Sequence, residues 1–161
     1  MKELIQLVAG YEQAKAEGKA MALATVVQVD GSAYRRPGAR MLISSTGDWW
    51  GGISGGCLEG DMLKKSQYAM MSQSIQVVQY DTREDDPFQL GIGLGCQGLI
   101  EIMIDPIREH IQQVYEVIKL QIDSGKGQFA LSDWSNGNFS MSILDQAYPG
   151  WEESSQVFTE F

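Results

Sequence analysis

The chain has 161 residues, 12 basic against 21 acidic, for a formal net charge of −9. That length suits one domain with a sizeable core, and the acidic balance argues against a general nucleic-acid or anionic-membrane binder, which needs a basic face. No run approaches the ~18 apolar residues of a membrane span, and the N-terminus lacks a signal-peptide segment. Two cysteines and one histidine make neither a disulfide framework nor a zinc site, so the expectation is a cytoplasmic protein with reduced thiols.

Helical spacing of Leu4, Leu7, Val8, Tyr11 and Ala14 predicts an amphipathic helix over 2–17, ended by Gly18. Residues 20–29 are nearly all apolar and read as a strand buried on both faces. Asp30 to Arg40 is a loop by its two glycines and its proline. It carries Arg35, Arg36 and Arg40, a quarter of the basic residues of an acidic chain. They read either as a solvated loop or as an oxyanion clamp, because guanidinium groups bind phosphate through paired hydrogen bonds.

Residues 41–44 and 49–53 form a predicted hairpin around Ser45-Thr46-Gly47-Asp48. Trp49 and Trp50 read as core, or one of them as a lid over a flat ring. The hairpin delivers the chain to Ser54-Gly55-Gly56-Cys57-Leu58-Glu59-Gly60, a glycine turn opening a helix that runs to about Ser72. Leu58, Met62 and Ala69 take one side of that helix, and Lys64, Lys65 and Gln73 face water. A thiol and a run of free backbone N–H groups at a helix N-terminus can hold an anion and stabilise a thiolate. Glu59 and Asp61 suit the helix dipole but oppose that thiolate, and a buried, inert Cys57 is the plainer reading of the residue alone.

Residues 74–80 read as a strand and 81–87 as a polar loop. A second glycine run follows, Leu90 to Gly98, holding Cys96. Its Gly93-Leu94-Gly95-Cys96-Gln97-Gly98 matches the dinucleotide pattern in letters only, since a Pro- and Asp-rich loop precedes it and a β-branched strand, 99–105, follows. The run reads as a bend that lets two backbones approach closely, or as the same bend used as an anion nest. Pro106 opens a helix with an apolar stripe at Ile107, Ile111, Val114, Ile118 and Ile122, ended by Gly125. His110 sits on it beside Glu109, and the sequence offers no Ser–His–Asp set. A hairpin around Asn136-Gly137 and a short strand at 156–161 complete the chain. The expected class is α+β: a mixed sheet with hairpins, packed by about three helices, with glycine-rich loops at strand ends. The arginine loop and the two Cys–glycine runs all fall at strand ends and can converge on one side. Together they suit an anionic, soft, sulfur- or metal-bearing ligand better than acid–base turnover.

Gly31-Ser32, Arg36-Pro37-Gly38-Ala39-Arg40-Met41, Gly52-Ile53-Ser54-Gly55-Gly56-Cys57-Leu58-Glu59-Gly60 and Gly93-Leu94-Gly95-Cys96-Gln97-Gly98, in that order, resemble the xanthine dehydrogenase accessory family, XdhC/CoxI. The match covers roughly the first two thirds of the chain. The resemblance implies a non-catalytic protein that binds the molybdenum cofactor, protects its sulfurated form and delivers it to apo xanthine dehydrogenase or a related molybdenum hydroxylase, with a cysteine desulfurase as sulfur donor. It implies contacts to molybdenum or its terminal sulfur from Cys57 and Cys96, and to phosphate or oxo groups from Arg35, Arg36 and Arg40. Gly55, Gly56, Gly93, Gly95 and Gln97 would line the cofactor. It also implies one domain over 1–161, with the Rossmann-like second domain of many members absent from this sequence, and a homodimer is a further expectation. The alternatives are a thiol-dependent sulfur-transfer or redox protein using Cys57 as nucleophile, and an assembly domain whose thiols are core.

Overall fold

The computed structural model describes residues 2–81, 98–124, 129–133 and 140–144. The elements run α1 (Lys2–Ala16), β1 (Met21–Gly31), β2 (Arg40–Ser44), β3 (Trp49–Gly51), α2 (Glu59–Ser72), β4 (Gln76–Asp81), β5 (Gly98–Asp105), α3 (Arg108–Ser124), β6 (Phe129–Asp133) and β7 (Ser140–Leu144). The first five strands form one sheet in the order β3-β2-β1-β5-β4, and β6 pairs with β7 in a separate two-stranded sheet. The α+β class and the three helices are as expected. Every pairing described is antiparallel, so the expected mixed sheet narrows to an antiparallel one. The reason is the path of the chain. β1 returns directly as β2 and β2 as β3, and α2 then carries the chain across to β4 at the far edge, beyond β5.

β1 is the central strand and its alternation builds both cores. Ala22, Ala24 and Val26 join Met41, Ile43, Ile102, Ile104 and the α2 residues Met62 and Ala69. Met21 and Leu23 join Leu42, Leu7 and Tyr11 of α1, and Ile111, Val114 and Ile118 of α3. The sheet is therefore a middle layer, with α2 on one face and α1 and α3 on the other. Both-face burial of β1 agrees with its unbroken apolar run.

β1 carries a bulge. Its pairing with β5 steps from Val26↔Ile102 to Gln28↔Glu101, leaving Val27 without an opposite residue. Up to Val26 the even-numbered side chains face α2. Beyond the bulge Val29 packs on that side, opposite Ile100.

Of the boundaries that differ from the sequence reading, three have clear local reasons. β3 stops at Gly51 instead of residue 53, because Gly51 takes φ +80 and a Cβ there would lie 2.4 Å from the Arg40 carbonyl oxygen. α2 ends at Gln73 in the left-handed conformation (φ 50), so β4 begins at Gln76 and not at 74. α3 begins after Asp105, whose Oδ1 accepts the Ile107 amide at 2.8 Å. The Asn136-Gly137 turn and the strand expected at 156–161 lie outside the described residues.

A small apolar cavity of about 20 Å3 sits between α1, α3 and the sheet, lined by residues such as Leu7, Leu23, Leu42 and Val114. It is a packing gap in the core that these residues build. None of the residues singled out in the arginine loop or the glycine runs lines it.

Candidate functional site

The sheet positions the three motif loops. β1 ends at Gly31, which pairs with Gly98 at the start of β5. β2 starts at Arg40, and β3 ends at Gly51 opposite Met41. The arginine loop, the first glycine turn and the chain entering β5 are thus anchored at one end of one sheet. Gly98 marks the closest approach: a Cβ there would lie 2.7 Å from the Asp30 carbonyl oxygen and 2.8 Å from that of Ser32. Only glycine lets β5 begin so near the arginine loop. Gly93, Gly95, Cys96 and Gln97 lie outside the described residues.

The arginine loop is closed by backbone bonds. The Gly38 amide donates to the Val26 carbonyl and the Val26 amide to that of Ala39, both at 2.9 Å. The three arginines part company. Arg36 is exposed. Arg35 is half-buried, ion-paired to Glu3 of α1, and lies 5.7 Å from the Tyr34 ring centroid. Arg40 is 4% exposed, and burial pushes its guanidinium down to about 10. Strand alternation sends its side chain to the sheet face shared with Leu42, on the α1 and α3 side.

The first glycine turn lies against this loop. Gly55 sits under the Tyr34 ring, where a Cβ would be 3.4 Å from the ring carbons. Tyr34 itself is 68% exposed. Gly56 takes φ +112 with open space around it, so the position needs glycine for backbone conformation and not for contact. Cys57 carries a free, half-buried thiol.

The amides of the turn are not the free run that the sequence led us to expect. The Ser54 amide donates to Glu59 Oε1 at 3.0 Å. Ser54 Oγ accepts from the Gly56 amide at 3.2 Å and from the Leu58 amide at 3.1 Å, and donates to Glu59 Oε2. Burial raises the Glu59 carboxyl, but the Ser54 hydroxyl and the backbone amides of Glu59, Ser54 and Ile53 outweigh it and hold it below its ordinary value. A side chain of the protein therefore fills the start of α2.

Further along α2, Asp61 accepts from Lys65 at 2.7 Å and from the Tyr80 hydroxyl at 2.5 Å. At the opposite end of β5, His110 Nδ1 lies 2.7 Å from the buried Asp105 carboxylate. His110 is thus tied to the start of α3, a role its helical position did not reveal. Sequence reasoning also missed Ser54 and Tyr34. A serine five residues before a glutamate across a glycine turn is an unusual capping spacing, and it was the available signal for Ser54. Among the described residues, no group of three or more His, Cys, Asp or Glu side chains is placed to hold a metal ion, and no helix is long and apolar enough to cross a membrane.

A three-layer α+β domain that gathers an arginine loop and a Cys–glycine turn at one sheet end defines the class of protein in structural terms. Residues 14–81 match the model of the XdhC and CoxI family. A protein of Bacillus subtilis (strain 168), described as a probable subunit of xanthine dehydrogenase, is 38% identical over 132 residues, covering 82% of this chain and 40% of that protein. The crystal structure of a xanthine dehydrogenase from Bacillus halodurans is similar with a TM-score of 0.64 and 28% identity, covering 97% of this chain and 45% of that one. The chain spans less than half the length of both relatives.

Proposed function

We propose that this chain is an accessory factor in xanthine dehydrogenase maturation: it holds the sulfurated molybdenum cofactor and passes it to apo xanthine dehydrogenase or a related molybdenum hydroxylase. A cysteine desulfurase would supply the sulfur. The observation that carries the reading is the common origin of the arginine loop, the Cys57 turn and the chain leading into β5 at one end of the sheet. The family match and the two relatives' descriptions as xanthine dehydrogenase proteins support it.

The residues fit such a cargo in part. Cys57 offers a soft, free sulfur donor suited to molybdenum or its terminal sulfur. Arg36 is exposed for a phosphate, and Arg35 would have to exchange its Glu3 partner for one. Gly56 has open space around it and Gly55 lies under the Tyr34 ring, whereas the amides of Ser54, Gly56 and Leu58 already have acceptors. The cargo's phosphate is therefore better served by side chains than by the helix N-terminus. Cys96, with Gly93, Gly95 and Gln97, completes the proposed site from the segment before β5. The role is that of a carrier, with no turnover of its own.

Native mass spectrometry of the protein with and without cofactor extracted from a molybdoenzyme tests this. A mass shift that Cys57→Ala or Cys96→Ala reduces is the expected result. Full binding in both variants would remove the thiols from the site.

A further inference from the structure

We propose that Ser54 and Glu59 are positioning residues that aim the Cys57 thiol. The inference rests on reading Cys57 as a contact group of the site. Cys57 follows two glycines, Gly55 and Gly56, so the backbone leading to it has more conformational freedom than any other residue pair would give. Yet the Gly56 amide, one peptide unit before the one that enters Cys57, and the Leu58 amide, in the unit that leaves it, converge on one atom, Ser54 Oγ, at 3.2 and 3.1 Å. Pinning the chain on either side of the Gly56–Cys57 peptide unit leaves only that unit to turn between them, and so restricts the direction of the Cys57 Cα–Cβ bond.

Ser54 is itself held twice by one carboxylate, through its amide at 3.0 Å and through its hydroxyl. Ser54 is 8% exposed, so its own end of these bonds is shielded from water. The roles are directional. A hydroxyl that accepts two amides must send its own proton elsewhere, and Glu59 supplies the acceptor. The same bonds spread the Glu59 charge over backbone donors and the Ser54 hydroxyl. Ser54 and Glu59 therefore form one unit, and removing either should free the loop as much as removing both.

The test follows Cys57 alkylation by iodoacetamide, read by peptide mapping on the purified full chain without cofactor. Ser54→Ala and Glu59→Ala are each expected to raise the rate about three- to tenfold, the scale of losing one or two hydrogen bonds in a local opening equilibrium. The double variant should exceed neither single by more than about twofold. Glu59→Gln keeps one acceptor and should stay nearer the parent. Parent-like rates in folded single variants, or multiplied effects in the double, would overturn the proposal. Should the alanine variants fail to fold, hydrogen exchange of the parent decides. Protected Gly56 and Leu58 amides are expected, and exchange as fast as in an open loop would refute the unit. No readout involves the cofactor, so a failed binding experiment leaves this result interpretable.

Discussion

Gly10 of α1 lies directly against the Trp50 indole: a Cβ on Gly10 would sit 2.2 Å from a ring carbon. A half-buried Trp50 joins the core between α1, α3 and the sheet, while its neighbour Trp49 is 50% exposed. The missing side chain in the middle of a helix thus sets how closely α1 approaches β3. Gly10→Ala gains helix propensity of about 1 kcal/mol but forces overpacking that typically costs about 1–3 kcal/mol. Because the ring cannot yield as a flexible side chain would, net destabilisation is expected, seen as a lowered midpoint in urea unfolding. Trp50→Leu in the same chain should relieve part of it.

Gly98 predicts a different defect. Its absent Cβ faces backbone oxygens of Asp30 and Ser32, not a movable side chain. Gly98→Ala should therefore separate β5 from the end of β1 at the candidate site, costing on the order of 1–3 kcal/mol. Hydrogen exchange should rise at residues 29–31 and 98–100 before it rises in the strand centres.

Arg36 and Arg40 should answer differently to alanine. Arg36 is exposed, so Arg36→Ala should leave stability within about 0.5 kcal/mol while weakening cofactor capture. Arg40 is buried in the sheet, and Arg40→Ala should cost on the order of 2–4 kcal/mol, from the lost packing of its stem and the polar groups left behind. Paired thermal melts and cofactor titrations separate the two. An Arg40→Ala chain as stable as the parent would contradict its buried role.

Asp61 gives a pH signature. Burial raises its carboxyl, but the hydrogen bonds from Lys65 and Tyr80 prevail and set it below its ordinary 3.8. A depressed carboxyl contributes stability that is fully present above its ordinary value and is lost as pH falls through the folded value. Tyr80→Phe removes one donor and should cost about 1–2 kcal/mol at neutral pH. The gap between parent and variant should narrow as acid protonates Asp61 in both. A gap that stays constant down to pH ~2 would remove the charge from the explanation.

Much of this architecture was legible in the residues. The unbroken apolar run of β1, the stripe of α3 and the turn at Ser45–Asp48 each obey a short-range rule, and each gave its element within a few positions. The common sheet end of the motif loops also follows from strand ends that sequence patterning could locate. What escaped notice were tertiary decisions. Arg40 stands next to the loop that holds Arg35 and Arg36, yet strand alternation turns it into the core. The amides at the start of α2 look free until Ser54 and Glu59 fold back on them. His110 meets Asp105 only because β5 ends where α3 begins. Each depends on how the chain turns between residues five apart, or on which phase of a strand a residue takes.

The unmatched Val27 has a larger reach than its one residue suggests. A strand is a two-phase object, and one additional residue shifts everything beyond it by half a period. Residues 28–31 are the lever arm on which the arginine loop is mounted. Were Val27 paired with Glu101 in a regular ladder, every later residue would move on by one, and Val29 would swing away from Ile100. The loop would leave the sheet from the opposite phase, with Arg35 carried away from Gly52 and Tyr34 from Gly55. The meeting of the two motif loops thus depends on an irregularity at the centre of the sheet.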